Sequence, residues 1–143
     1  MPRDVPRKIA VRVFAAAAIL AAPAAAAGPD EITRGEYLAA AAGCADCHTD
    51  TKNGGRPYAG GRPLTTPFGT FYAPNITPDA KTGIGNWSDD DIVTLLKDGQ
   101  TPDFDFVGGA MAEVVKDTAR LTDDDRRAIA VFLHSVPAVP SPR

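Results

Sequence analysis

Apolar residues recur at helical spacing in four stretches of this chain, and those stretches set the architecture it is expected to adopt. Thr33 followed three residues later by Glu36 has the form of a capping box, and Tyr37, Leu38, Ala41 and Ala42 then recur at helical spacing. A first helix is therefore expected from about Arg34 to Ala42, closed by Gly43. Ser88 precedes a second, with Asp91 at its third position, Ile92, Leu95 and Leu96 on one face, and Gly99 as the stop. A third follows Gly108-Gly109, where Met111, Val114 and Val115 share a face. Thr122 caps the last, which carries Ile129, Phe132, Leu133 and Val136 at i, i+3, i+4 and i+7 and ends at Pro137.

The pattern breaks down between Asp50 and Trp87, where five prolines and seven glycines stand among turn pairs such as Asn53-Gly54 and Gly60-Gly61. Irregular chain is expected there, with one short hairpin near Thr66 to Tyr72. So long a stretch without regular structure in a compact domain points to a functional wrapping loop, or to a bound group that acts as the missing core. The Pro-Ala-Val-Pro-Ser-Pro tail is expected to be extended and exposed.

The beginning of the chain differs in kind from the rest. Arg3, Arg7, Lys8 and Arg12 give a basic start, Val13 to Ala22 is unbroken apolar sequence, and small residues end in Ala25-Ala26-Ala27. These are the three parts of a secretory signal, expected to be cleaved after Ala27, and the apolar run falls short of the roughly 20 residues that span a bilayer. Retention as an N-terminal anchor is the alternative. No other segment is apolar enough to cross a membrane, so residues 28–143 are expected to form one small exported domain. Beyond residue 27 the chain holds 11 Lys and Arg against 17 Asp and Glu, a net charge of −6. Such a surface repels nucleic-acid phosphates and is steered towards basic patches on protein partners. Part of that charge, in Asp89-Asp90-Asp91 and Asp123-Asp124-Asp125, falls at helix starts where the helix dipole favours it.

Chemistry concentrates just after the first helix, in Cys44-Ala45-Asp46-Cys47-His48. C-x-x-C-H is the pattern of covalent haem c attachment: two thiols three positions apart reach the two vinyl groups on one porphyrin edge, and the next residue places an imidazole under the iron. Cys44 and Cys47 would form the thioethers and His48 would be the proximal ligand. A structural zinc site needs four ligands, and beyond the pentapeptide the chain offers only His134. A redox dithiol lacks the strand expected before it, and a plain disulfide leaves His48 without a role.

An electron carrier normally gives its haem iron a second strong axial ligand. Met111, the only methionine beyond residue 27, is the candidate, and its other reading is a core methionine on the Val114 and Val115 face. His134 is the rival, placed by its helix on the polar side and expected to be a solvated surface histidine. Trp87 has two readings, as a donor to a haem propionate or as core filling. Arg62 likewise either pairs with a propionate or is a solvated loop arginine. Asn75-Ile76-Thr77 matches a glycosylation pattern to which no function is attached.

On these residues the sequence resembles the class I cytochrome c domains, in which an N-terminal helix leads to C-x-x-C-H and a C-terminal helix crosses it. The resemblance spans most of residues 28–143. It implies that Gly35 and Tyr37 lie at the crossing on the first helix and Ile129 and Phe132 on the last, that Trp87 binds a propionate, and that Met111 is axial. Ala59-Gly60-Gly61-Arg62-Pro63-Leu64, Thr66-Pro67-Phe68-Gly69-Thr70, Asn75-Ile76-Thr77-Pro78-Asp79, and Thr82-Gly83-Ile84-Gly85 with Trp87-Ser88-Asp89 are similar to the cytochrome subunits of periplasmic bacterial dehydrogenases for alcohols and aldehydes. Those subunits often carry several haem domains and a membrane-associating tail, whereas this chain has one C-x-x-C-H and no tail helix.

The expected fold is mostly α, with four to five short helices and a long Gly/Pro-rich loop wrapped around one haem. The expected function is a periplasmic single-electron carrier between a dehydrogenase and a downstream cytochrome or terminal oxidase, with no catalytic residues of its own. The rival readings are a haem enzyme or gas sensor with an open sixth position, and an exported redox dithiol protein.

Overall fold

The computed structural model describes residues 28–141, and the segment read as a secretory signal lies outside them. Five helices carry the fold: α1 (Pro29–Ala41), α2 (Cys44–Cys47), α3 (Asp89–Asp98), α4 (Gly109–Thr118) and α5 (Asp123–Ser135). A two-stranded antiparallel hairpin, β1 (Pro63–Thr66) and β2 (Gly69–Tyr72), and a 3-10 turn at Thr51–Asn53 interrupt the long loop. The mostly helical expectation and the hairpin both hold, the hairpin starting three residues earlier than its turn signals suggest.

Local sequence explains most of the boundaries. At α3 the Ser88 hydroxyl accepts from the Asp91 N–H while the Asp91 carboxylate accepts from the Ser88 N–H, a complete capping box, and Gly99 ends the helix at φ +75°. Thr122 caps α5 in the same way through the Asp125 N–H, and Val136 ends it in extended conformation ahead of Pro137. The start of α1 departs from expectation by five residues. Pro29, Asp30 and Glu31 form its first turn, and Thr33 lies inside the helix with its hydroxyl donating to the Pro29 carbonyl at 2.9 Å. Proline's fixed φ and missing N–H suit the first helical position, and two acids complement the dipole, so this start outcompetes the Thr33–Glu36 box.

Packing centres on the crossing of α1 and α5. A Cβ built on Gly35 would stand 1.9 Å from the Ala128 carbonyl oxygen and 2.7 Å from Phe132 Cβ, so the two helices meet at backbone contact distance there. Tyr37, the other residue implied at this crossing, is instead largely exposed. Buried residues Ala39, Ile84, Ile92, Leu96, Ile129 and Phe132 form the centre of one cluster. Arg126, also buried, sends Nη1 to the carbonyls of Thr118, Ala119 and Leu121 and so closes the end of α4. The core is thin. Ile129 is the only large apolar side chain with essentially no exposure among the described residues, and many apolar neighbours of the cluster are only half-buried.

Two peripheral expectations change. The C-terminal tail is extended but tied down: Val139 and Ser141 hydrogen-bond to Thr77 and Thr82 in the long loop. His134 is not a free surface group, because its Nδ1 lies 2.8 Å from Asp89 Oδ1 at the start of α3 and its Nε2 is buried. The helical pattern of α5 cannot reveal that α3 begins against that face.

Candidate functional site

Gly43, at φ +69°, turns the chain sharply out of α1 into the single turn of α2, which carries both cysteines and delivers His48 as its C-cap. The thiols are half-buried and free of any disulfide. Cys44 packs against the core cluster, and its burial pushes the thiol pKa up to about 11.

His48 is 8% exposed, and burial lowers its pKa, leaving a neutral imidazole. Its Nδ1 lies 2.7 Å from the Pro74 carbonyl, so that nitrogen carries the proton and donates it, and Nε2 keeps its lone pair for a metal. The backbone around this contact is heavily braced. Gly60 N–H donates to the His48 carbonyl, Gly61 N–H to that of Ala73, and Ala73 N–H to that of Arg62. Gly60, at φ +74°, approaches the segment after β2 so closely that a Cβ would lie 2.5 Å from the Ala73 carbonyl oxygen.

The remaining candidates come from other elements. Trp87, immediately before the Ser88 cap, and Met111, third residue of α4, are half-buried and pack on the core cluster that Cys44 also touches. Arg62 is neither a free solvated side chain nor remote from the motif, since its Nη1 donates to the Asp46 carbonyl between the two cysteines. Sequence reasoning missed Pro74, the acceptor for His48, and Tyr58, whose ring meets Phe132 edge-on at 5.6 Å and whose φ is +62°. Neither residue type signals such a role, which depends on how the loop folds back.

Two free thiols and a neutral, oriented imidazole on one turn, with Cys44 packed on the core cluster that Trp87 and Met111 also touch, fit the demands of covalent haem. Residues 32–137 match the family model described as Cytochrome c. The chain belongs to the cytochrome c family. That membership carries covalent haem c as the family's cofactor, and the mostly helical fold agrees with it.

This cytochrome c chain is 43% identical over 109 residues to a gluconate 2-dehydrogenase cytochrome c subunit of Pantoea cypripedii, covering 76% of this chain and 24% of that one. It is 43% identical over 123 residues to the cytochrome c subunit of a quinone-type alcohol dehydrogenase of Gluconobacter oxydans, 77% of this chain and 25% of the other. A diheme cytochrome c-type protein of Cereibacter sphaeroides is 46% identical over 117 residues, 78% of this chain and 37% of its own length. The chain thus spans 24% to 37% of the length of these relatives.

Proposed function

We propose that this chain carries single electrons on one haem c in the periplasm, taking them from a dehydrogenase and passing them to another cytochrome or a terminal oxidase. On this reading it catalyses no bond chemistry itself. The observation that carries the proposal is the state of His48: a buried, neutral ring with Nδ1 committed to the Pro74 carbonyl, one residue after the second of two undisulfided cysteines. The haem, when bound, supplies a reversible one-electron iron couple. Cys44 and Cys47 would anchor it, His48 would ligate it through Nε2, and Met111 would supply a second ligand to the iron. Trp87 and Arg62 would hold its propionates, and Arg62 braces the attachment turn through Asp46.

A dehydrogenase as donor is supported by relatives that are cytochrome subunits of gluconate, alcohol and fructose dehydrogenases. Export is supported by the charged, apolar and Ala-x-Ala segments of residues 1–27. No helix among the described residues is long and apolar enough to cross a membrane. An acidic surface steers the complex towards basic partner patches.

Absorption spectra with and without carbon monoxide test the axial assignment. Reduced wild-type protein is expected to resist carbon monoxide at neutral pH. Met111→Ala should bind it readily and show a markedly lower potential, because a thioether ligand favours reduced iron, while Cys44 and Cys47 keep the haem attached. His134→Ala should do neither. Ready binding by the wild type would instead favour an open sixth position and a haem enzyme or gas sensor.

A further inference from the structure

Pro74 is the one residue whose carbonyl receives the His48 proton, and on its flank towards the C-terminus a backbone bond from the Ile76 N–H to the Tyr58 carbonyl is joined by an asparagine side chain. Asn75 is 6% exposed and uses every hydrogen-bonding position of its amide. Oδ1 accepts from the Thr77 N–H and the Thr77 hydroxyl, both at 2.8 Å. Nδ2 donates to Thr82 Oγ1 at 3.0 Å and to the Val139 carbonyl at 2.7 Å. Thr77, with no exposure at all, returns a bond by accepting from the Val139 N–H at 3.1 Å, and Thr82 Oγ1 accepts from the Ser141 N–H at the same distance. The C-terminal tail is therefore clamped, through one fully satisfied buried amide, to the residue next to Pro74.

Outside this clamp lies an open cavity of about 860 Å³ whose walls include Pro74, Asn75, Thr82 and Val139. Water can reach the outer side of the peptide that carries the Pro74 carbonyl. A carbonyl free to rotate towards that water would lengthen its bond to His48, and a buried polar network resists such motion only while all its members are satisfied.

We propose that Asn75, gripping the Val139–Ser141 segment, is a positioning residue that holds the Pro74 carbonyl on His48 and thereby tunes the potential of the iron. The proposal rests on the haem reading above. A strong Nδ1–H···O=C bond makes the imidazole a better electron donor and stabilises oxidised iron. Loosening the clamp should therefore raise the midpoint potential. Loss of burial and entry of water at the iron would lower it, so the sign separates tuning from mere damage.

The test uses the haem-loaded chain. Two readouts are taken: the exchange rate of the His48 Nδ1 proton with solvent, by proton NMR of the reduced state, and the midpoint potential, by spectroelectrochemistry. In Asn75→Ala the proton is expected to exchange at least tenfold faster. The oxidised-to-reduced equilibrium should move threefold to tenfold towards reduced iron, a tenfold change being about 59 mV for one electron. A chain ended after Ala138, which removes the Val139 carbonyl but leaves Asn75, should move both readouts in the same direction and by less. It also decides the matter if Asn75→Ala does not load haem. Wild-type exchange and potential in the shortened chain, or a fall in potential in either variant, would overturn the positioning role. A wild-type protein without histidine-ligated, covalently bound haem would instead overturn the functional reading on which it stands.

Discussion

Gly35 shows how one missing side chain fixes a contact between distant parts of the chain. Its absent Cβ would sit inside van der Waals distance of backbone atoms on α5, and backbone cannot rotate away as a flexible side chain does. Gly35→Ala would gain about 1 kcal/mol of helix propensity, yet the clash should dominate. A net loss of about 1–3 kcal/mol is expected in chemical denaturation, with an unchanged slope. Arg126 makes the opposite case, a charged side chain that is 3% exposed because it satisfies three carbonyls at the end of α4. Arg126→Leu should cost about 1–3 kcal/mol by leaving those acceptors unpaired, measured by the same denaturation. Charge and length place Arg126 on the surface in a sequence reading. The carbonyls that capture it come from the last residue of α4 and the turn that follows, which only the folded chain brings round.

At the scale of elements, the caps of α3 and α5 are legible from the sequence because each is a local bargain among residues three apart. Asp91 accepts from both the N–H and the hydroxyl of Ser88, which holds its carboxyl below the usual range. Asp125 is lowered likewise, by the Thr122 hydroxyl and then by Arg34 from α1. A depressed folded pKa means stability that is complete above the unfolded value of about 4 and lost as pH falls through the lower folded value. The melting temperature of the haem-loaded protein should therefore drop on acidification below about pH 4. Asp91→Asn should melt lower at pH 7 and lose less on acidification than the wild type, as followed by circular dichroism. The start of α1 is less legible because two local signals compete there, and position 29 wins through the fixed φ of proline rather than through side-chain capping.

At the scale of the molecule, few large apolar residues among those described are fully buried, and the long loop between Asp50 and Trp87 holds mainly one exposed hairpin and hydrogen bonds between irregular segments. Phe68, Phe71 and Tyr72 on that hairpin are largely exposed, so they add little to the core. Apolar burial of this extent sits close to the conformational entropy it must offset. A Cys44→Ala, Cys47→Ala double variant made without haem is therefore expected to be largely disordered, with weak helicity and no cooperative thermal transition. A cooperative melt with native-like helicity would show that the polypeptide alone suffices.

The sequence by itself determined the motif, the caps of α3 and α5 and the order of the longer helices, because each depends on residues within about four positions of one another. C-x-x-C-H announces its chemistry through spacing alone, and the glycine at position 35 could be matched to Phe132 through the family resemblance. Tertiary structure decided what the sequence leaves open: that Pro74 accepts from His48, that Arg62 braces Asp46, that His134 meets Asp89, and that the tail docks on Asn75 and Thr77. Each of these joins residues 16 to 64 positions apart through a carbonyl or a short polar side chain. Such groups occur throughout any chain, and only the folded path of the backbone selects which of them meet.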